Sequence, residues 1–272
     1  GQDRDLTLTP KIYLNENPLM LAEYRQDFKN SYLTIAAGYT QGYKKTDNKK
    51  TSGSRSHFFS KFNTTLINQK NKNSSLEIIT QNVSNDTYLK IYDVDGLLID
   101  KNTSVLENSI DYFYQNKDFS LSFKPSVFED TRKSGNLRNE YLLPLTMEKN
   151  IISDEKYGLV DLTSNIKIRN HETNKQTNFL VNDFNWKSNV WFNKFGFENH
   201  FEGLLKTANY EAKNEDSYKN EGTNAELSSA LGYFAKLGFY KNDIFNKKIH
   251  TLTPKFLLRY APGHMRNIEG GR

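Results

Sequence analysis

Apolar and polar residues alternate along most of this chain. In Phe119-Ser120-Leu121-Ser122-Phe123-Lys124 every second residue is apolar, which puts Phe119, Leu121, Phe123 and then Val127 on one face of an extended segment. Residues 226–240 repeat the pattern at greater length. There Leu227, Leu231, Tyr233, Leu237 and Phe239 face one way, and Glu226, Ser228, Gly232, Lys236 and Gly238 the other. Over 195–210, Phe195, Phe197, Phe201 and Leu205 oppose Glu198, His200, Glu202 and Lys206. In 19–28, Met20, Ala22, Tyr24 and Phe28 oppose Glu23, Arg25 and Asp27. A period of two predicts strands near 5–14, 19–28, 31–43, 55–67, 75–83, 104–115, 118–128, 137–148, 157–168, 177–187, 195–210, 225–240 and 249–260.

Turn-forming residues separate these segments, as in Asn15-Glu16-Asn17-Pro18, Lys29-Asn30, Asn116-Lys117-Asp118 and Ser134-Gly135-Asn136. Links this short join antiparallel neighbours and cannot hold the helical crossover that parallel strands need. The predicted fold class is therefore all-β, an antiparallel up-and-down meander. Several segments exceed the five to six residues usual for a globular strand. A long meander with one apolar face suits a bilayer-spanning barrel, which leaves no backbone group unpaired in hydrocarbon. An open sheet of that size would expose its edges and a broad apolar face. The connections containing 44–54, 84–103 and 211–224 exceed those containing 29–30, 116–117 and 188–194. In outer-membrane barrels the longer set faces outward and the shorter set faces the periplasm.

Composition narrows the class. The chain has 272 residues, of which 36% are hydrophobic and 13% aromatic, with 18 Phe, 16 Tyr and 2 Trp. It is polar on average, yet disordered chains are poor in aromatics. A membrane barrel joins both properties, because only its outer band is apolar. No stretch approaches the ~18 apolar residues of a spanning helix. There is no Cys, hence no disulfide and no thiolate metal site. The net charge of +5 raises a nucleic-acid partner. The lysines, however, gather in loops such as Lys44-Lys45-Thr46-Asp47-Asn48-Lys49-Lys50, so no nucleic acid is expected. The odd strand number and the polar sequences at both ends read as part of a larger barrel domain covering 1–272, truncated at both ends.

Particular residues then resemble a known family. Asp5-Leu6-Thr7-Leu8-Thr9-Pro10-Lys11-Ile12-Tyr13, followed by Ala22-Glu23-Tyr24-Arg25, is similar to the early barrel strands of the lipopolysaccharide-assembly protein family LptD, also called the organic-solvent-tolerance proteins. Val83-Ser84-Asn85-Asp86-Thr87-Tyr88-Leu89 resembles that family's Ser-Asp-Asp-Thr-Tyr-Leu stretch. Thr251-Leu252-Thr253-Pro254-Lys255 followed by Tyr260-Ala261-Pro262 resembles a mid-barrel strand and its exit. The motifs are short, but their order spans residues 5–262. The resemblance implies a barrel of about twenty-six strands, at the large end for bacteria, in the outer membrane of a Gram-negative cell. Such a barrel takes lipopolysaccharide from a periplasmic β-jellyroll bridge protein, holds a plug lipoprotein in its lumen, and inserts the lipid into the outer leaflet through a seam between first and last strands. Pro10 matches a position held to loosen that seam. The family's jellyroll, closing strand and cysteines have no counterpart in these residues.

Chemistry in the covalent sense is not evident. His57, His171, His200, His250 and His264 are scattered, and no Gly-x-Ser-x-Gly elbow occurs. No enzyme, cofactor or metal site is expected. His200 between Glu198 and Glu202 could hold a metal or simply face water in a lumen wall. Asp86, Asp93, Asp95 and Asp100 share one long loop that could supply oxygens to Ca²⁺ or be solvated. Glu23, Arg25 and Asp27 are expected in the lumen, free to meet sugar and phosphate groups or one another. Phe119, Leu121 and Phe123 are expected to face lipid. Trp186, Trp191 and Phe192, around one turn, fit an interfacial aromatic girdle or packing under a loop. Competing readings are a porin, a TonB-dependent receptor, and a soluble carbohydrate-binding β-protein.

Overall fold

The computed structural model describes residues 3–14, 17–46, 49–172, 174–215, 218, 222–243 and 248–262. Strand accounts for 72% of the structure and helix for 3%, so the chain is all-β. The strands are β1 (Arg4–Lys11), β2 (Leu19–Phe28), β3 (Ser31–Thr46), β4 (Lys49–Gln69), β5 (Lys72–Val83), β6 (Val105–Asn116), β7 (Phe119–Phe123), β8 (Ser126–Asp130), β9 (Asn139–Asp154), β10 (Gly158–His171), β11 (Lys175–Lys187), β12 (Trp191–Phe192), β13 (Glu198–Lys213), β14 (Gly222–Lys236), β15 (Phe239–Asp243), β16 (Lys248–Leu252) and β17 (Lys255–Tyr260). One helical turn, α1 (Tyr88–Ile91), interrupts the β5–β6 connection.

Hydrogen bonding follows chain order. The path runs β1-β2-β3-β4-β5-β6-β7-β9-β10-β11-β13-β14-β17. β8 pairs β6 and β9, β12 pairs β13, and β15–β16 form a separate hairpin. This is the large antiparallel meander that the alternation predicts, and each expected segment supplies at least part of a strand.

Several segments differ in extent, four of them for a local reason. The segment 118–128 breaks at Pro125, which has no N–H to donate. Its flanks bond outward instead, Ile110 N to Pro125 O at 3.1 Å and Lys124 N to Pro144 O at 3.2 Å. β13 starts at Glu198 rather than 195, because Asn193 Oδ1 accepts the amides of Phe195 and Phe197, each at 3.0 Å. That side-chain-closed turn also places Gly196 at a φ of 83°. β14 stops at Lys236, so Leu237 and Phe239 do not continue its apolar face. The segment 249–260 divides at Pro254 between β16 and β17.

The chain forms two compact units. The first comprises Gly1–Lys117, Leu121–Leu145 and Lys167–Gln176. Its hydrophobic core lies between the sheet and the 84–104 connection, where Tyr88, Leu89, Tyr92, Val94 and Ile99 pack on Leu19, Ala36, Phe59 and Leu106. The second comprises Asp118–Ser120, Thr146–Ile166 and Thr177–Arg272. In it Phe179 stacks on Tyr210 at 5.9 Å and 23°, with Tyr218 at 5.7 Å from the first ring and 6.1 Å from the second.

A two-faced sheet as the candidate functional surface

Register turns the period-two pattern into two chemically distinct faces. In the first unit one row across β1–β6 reads Asp5, Arg25, Thr34, Lys61, Ile79, Ser109. Two residues along, from β2, the same face reads Asp27, Tyr32, Asn63, Glu77, Asp111. Successive residues of a strand point to opposite faces, so this face collects the charges. Arg25 Nε lies 3.6 Å from both Asp5 Oδ1 and Glu23 Oε1. Lys61 meets Glu77 at 3.1 Å, and Lys124 meets Glu107 at 3.0 Å. Each of these cations is matched by a carboxylate of the same wall, which also carries Asp27 and Asp111.

The other face is apolar. One row reads Leu8, Ala22, Ala37, Phe58, and another reads Gln26, Leu33, Phe62, Ile78, Ile110. Leu8 remains 60% exposed, and Leu6, Phe58 and Ile110 are also exposed. No described segment covers these side chains. In water each such residue would forgo the ~1.5–3 kcal/mol that full burial contributes.

The second unit repeats the arrangement. Glu198, His200, Glu202 and Lys206 on β13 align with Lys236, Phe234, Gly232 and Ser228 on β14. Lys236 pairs with Glu198 at 2.8 Å, and Lys206 with Asp183 at 3.0 Å. Opposite them lie Phe201, Leu205, Leu227, Leu231 and Tyr233, continued on β17 by Phe256, Leu258 and Tyr260. Leu227 is 69% and Leu258 is 63% exposed. Where β13 meets its short connection, Trp191, Phe201 and Tyr233 cluster on that apolar face, with ring centroids 5.2, 5.5 and 6.4 Å apart. Trp186 donates Nε1–H to Tyr157 O at 2.7 Å and lays its ring over Gly203, where an added Cβ would stand 3.1 Å from the ring.

Glu23, Arg25 and Asp27 therefore share one face. Glu23 and Arg25 sit within the ion-pair network, and Asp27 borders a depression of about 1060 Å³ with Tyr32, Asn63, Glu77 and Asp111. Phe119, Leu121 and Phe123 alternate along β7 and are each half-buried. Apolar side chains on other strands are more exposed, among them Leu6, Leu8, Leu227, Phe256 and Leu258. Trp191 joins the aromatic cluster, and Phe192 is exposed at its margin.

The aspartates of the 84–104 connection do not converge. Asp93 pairs with Lys101 at 2.5 Å, Asp86 with Arg138 at 2.6 Å, and Asp100 accepts the amide of Asn102 at 2.8 Å. Lys101, first by its hydrogen bond and then by its charge, lowers the Asp93 carboxyl below its ordinary value. Glu198 is engaged by Lys236, while His200 Nε2 contacts Glu202 at 2.8 Å. Among the described residues no three His, Cys, Asp or Glu side chains gather as a metal group.

Pro10 lies opposite Met20 in the β1–β2 ladder. Asp27 N donates to Asp3 O at 2.8 Å, extending that register by one pair. Bonded pairs alternate in an antiparallel ladder, so residues 5, 7, 9 and 11 bond β2. The nitrogen of residue 10 points to the other edge of β1. No described strand pairs with that edge. The donor that proline lacks is thus missing from the open edge, and the β1–β2 ladder is intact. No protein family's sequence profile matches the chain, and no curated protein matches it.

Proposed function

We propose that the chain is a span of an outer-membrane β-barrel that delivers lipopolysaccharide to the outer leaflet, as its resemblance to the LptD family implies. The two-faced sheet is the observation that carries this reading. Ion pairs lie on one face in each unit, and exposed Leu, Phe, Ile and Tyr lie on the other. A bilayer outside and a hydrated lumen inside give both faces a suitable solvent. The aromatic cluster of Trp191, Phe201 and Tyr233 suits the headgroup level, where amphipathic rings are favoured.

On this reading the wall, whose Arg25, Lys61 and Lys124 are each held by a carboxylate, passes a hydrated saccharide without trapping it, while acyl chains leave sideways at a weak seam. Because Pro10 withholds a donor on the open edge of β1, a closing strand there gains one hydrogen bond fewer. The lipopolysaccharide arrives from a periplasmic β-jellyroll bridge protein, and a plug lipoprotein occupies the lumen. The protein does no covalent chemistry and needs no cofactor. Its longer connections, 84–104 among them, lie outside the cell, and its short turns lie in the periplasm.

Photo-crosslinking groups placed at Glu23, Lys61 and Leu8 of the intact protein in growing cells test the reading. Lipopolysaccharide adducts at Glu23 and Lys61, with phospholipid adducts at Leu8, are expected. Absence of any lipid adduct, or purification as a detergent-free monodisperse monomer, contradicts the reading. Pro10→Val restores the missing donor and should slow delivery. Unchanged delivery and antibiotic permeability would remove Pro10 from any gate.

A further inference from the structure

We infer that the 84–104 connection is a strap that fastens the open-edge strand β1, so that β1 moves only when the strap is released. The inference deepens the proposed seam and rests on that reading for its role in export. The fastening itself stands on geometry alone. Lys11, the last residue of β1, reaches 81 and 82 residues along the chain: its Nζ donates to Asp93 O at 2.7 Å and to Tyr92 O at 3.4 Å. Tyr13, just beyond the strand, donates its hydroxyl to the same Tyr92 O at 3.4 Å. Its ring meets the Tyr92 ring edge-on at 5.9 Å and 72°.

The strap is built to present those carbonyls. Asp93 adopts a φ of 50°, in the left-handed region that most side chains avoid. Val94 N returns to Leu89 O at 2.8 Å, which closes the turn after α1. Lys101 holds the Asp93 side chain from outside. Beneath the turn, Tyr88, Leu89, Val94 and Ile99 are buried against the sheet together with Leu19, the residue paired with Lys11. The connection is thus fixed to β2–β4 by apolar packing, to Lys11 of β1 by polar contacts, and to Tyr13 just beyond it by a hydroxyl and a ring at the core's margin. A polar fastening can be undone without opening the core, because exchanging such bonds for water costs far less than exposing buried apolar area.

Hydrogen exchange on the intact protein in nanodiscs tests the strap, with Lys11→Met, Lys11→Arg and Tyr13→Phe as variants. Methionine keeps the aliphatic stem and removes the donors. The β1 amides of Asp5, Thr7 and Thr9, bonded to β2, should exchange about tenfold faster in Lys11→Met. Those of β4 and β5 should keep wild-type rates, and Lys11→Arg should restore β1. Unchanged β1 exchange in both Lys11→Met and Tyr13→Phe overturns the strap, whatever lipid delivery does. Should Lys11→Met fail to fold, Tyr13→Phe, which removes only one hydroxyl, gives the same readout. Faster β1 exchange supports the strap. If lipopolysaccharide delivery stays unchanged in that variant, the fault lies with the export reading and not with the fastening.

Discussion

Placing a charge on the apolar face measures what solvent that face meets. Leu227 is six residues from Tyr233 along β14. At ~3.3 Å per residue and a strand tilt near 40°, that is about 15 Å along the membrane normal. With Tyr233 at the aromatic level, Leu227 falls close to the middle of an apolar band ~25 Å tall. Leu227→Arg should then cost about 2–4 kcal/mol, the value for Arg at a bilayer midplane. This is roughly a 30- to 900-fold loss in the folding equilibrium. Ala230→Arg carries the same side chain on the polar face, where Ala230 aligns with Leu204, and should cost far less. Urea-dependent folding of the intact protein into phospholipid vesicles, read by the heat-modifiable gel shift, supplies both numbers. An exposed position on a water-facing sheet would tolerate either change within about 0.5 kcal/mol. Equal, small costs for the two variants would refute the reasoning.

Two further outcomes follow from local geometry. Gly158 has a φ of 86°, and an added Cβ there would strike Lys187 O and the Ser188 backbone. Gly158→Ala should therefore lower stability by about 1–3 kcal/mol, measurable in the same folding assay, and a neutral result would contradict the close approach. The Asp93 carboxyl sits below its ordinary value of 3.8 through its bond to Lys101. Its stabilising effect is present above that ordinary value and is lost as pH falls through the lower value of the folded protein. Protection of the Val94 amide should hold at pH 5 and weaken only in strong acid, and Lys101→Met should abolish that acid step. A step that persists in Lys101→Met would contradict the pairing.

Much of the fold was legible because period-two alternation is local. Leu227, Leu231 and Tyr233 fall on one face from their spacing alone, and register confirms them as neighbours of Phe201 and Leu205. Strand ends were less legible. Pro125 and Pro254 were visible in the sequence, but their effect depends on which edge each nitrogen faces, which only pairing reveals. The turn at Asn193 was missed because the apolar run Phe195, Phe197 continues the alternation while the backbone turns back. The 84–104 connection was the largest loss. Its aspartates read as a solvated or cation-binding loop, yet Tyr88, Leu89, Tyr92, Val94 and Ile99 within it were an apolar signal that points to burial. Lys11 could not have been singled out, since its partners are backbone carbonyls more than eighty residues away. The alternation put Glu23 and Arg25 on one side of their strand, and the register aligns them with Ala36 and Thr34 of β3; apolar side chains of β1, β14 and β17 are more exposed than those of β7.

Nitroxide scanning of the intact protein in bilayers tests the central claim most directly. Labels would be placed in turn at residues 5–8 of β1 and 226–231 of β14. Accessibility to molecular oxygen and to a water-soluble nickel chelate should alternate with a period of two and opposite phase. Leu6, Leu8, Leu227 and Leu231 should favour oxygen, and Asp5, Thr7, Glu226 and Ser228 the chelate. If the chelate reaches Leu8 and Leu227 as freely as Thr7 and Glu226, the apolar face meets water and no membrane-spanning wall exists here.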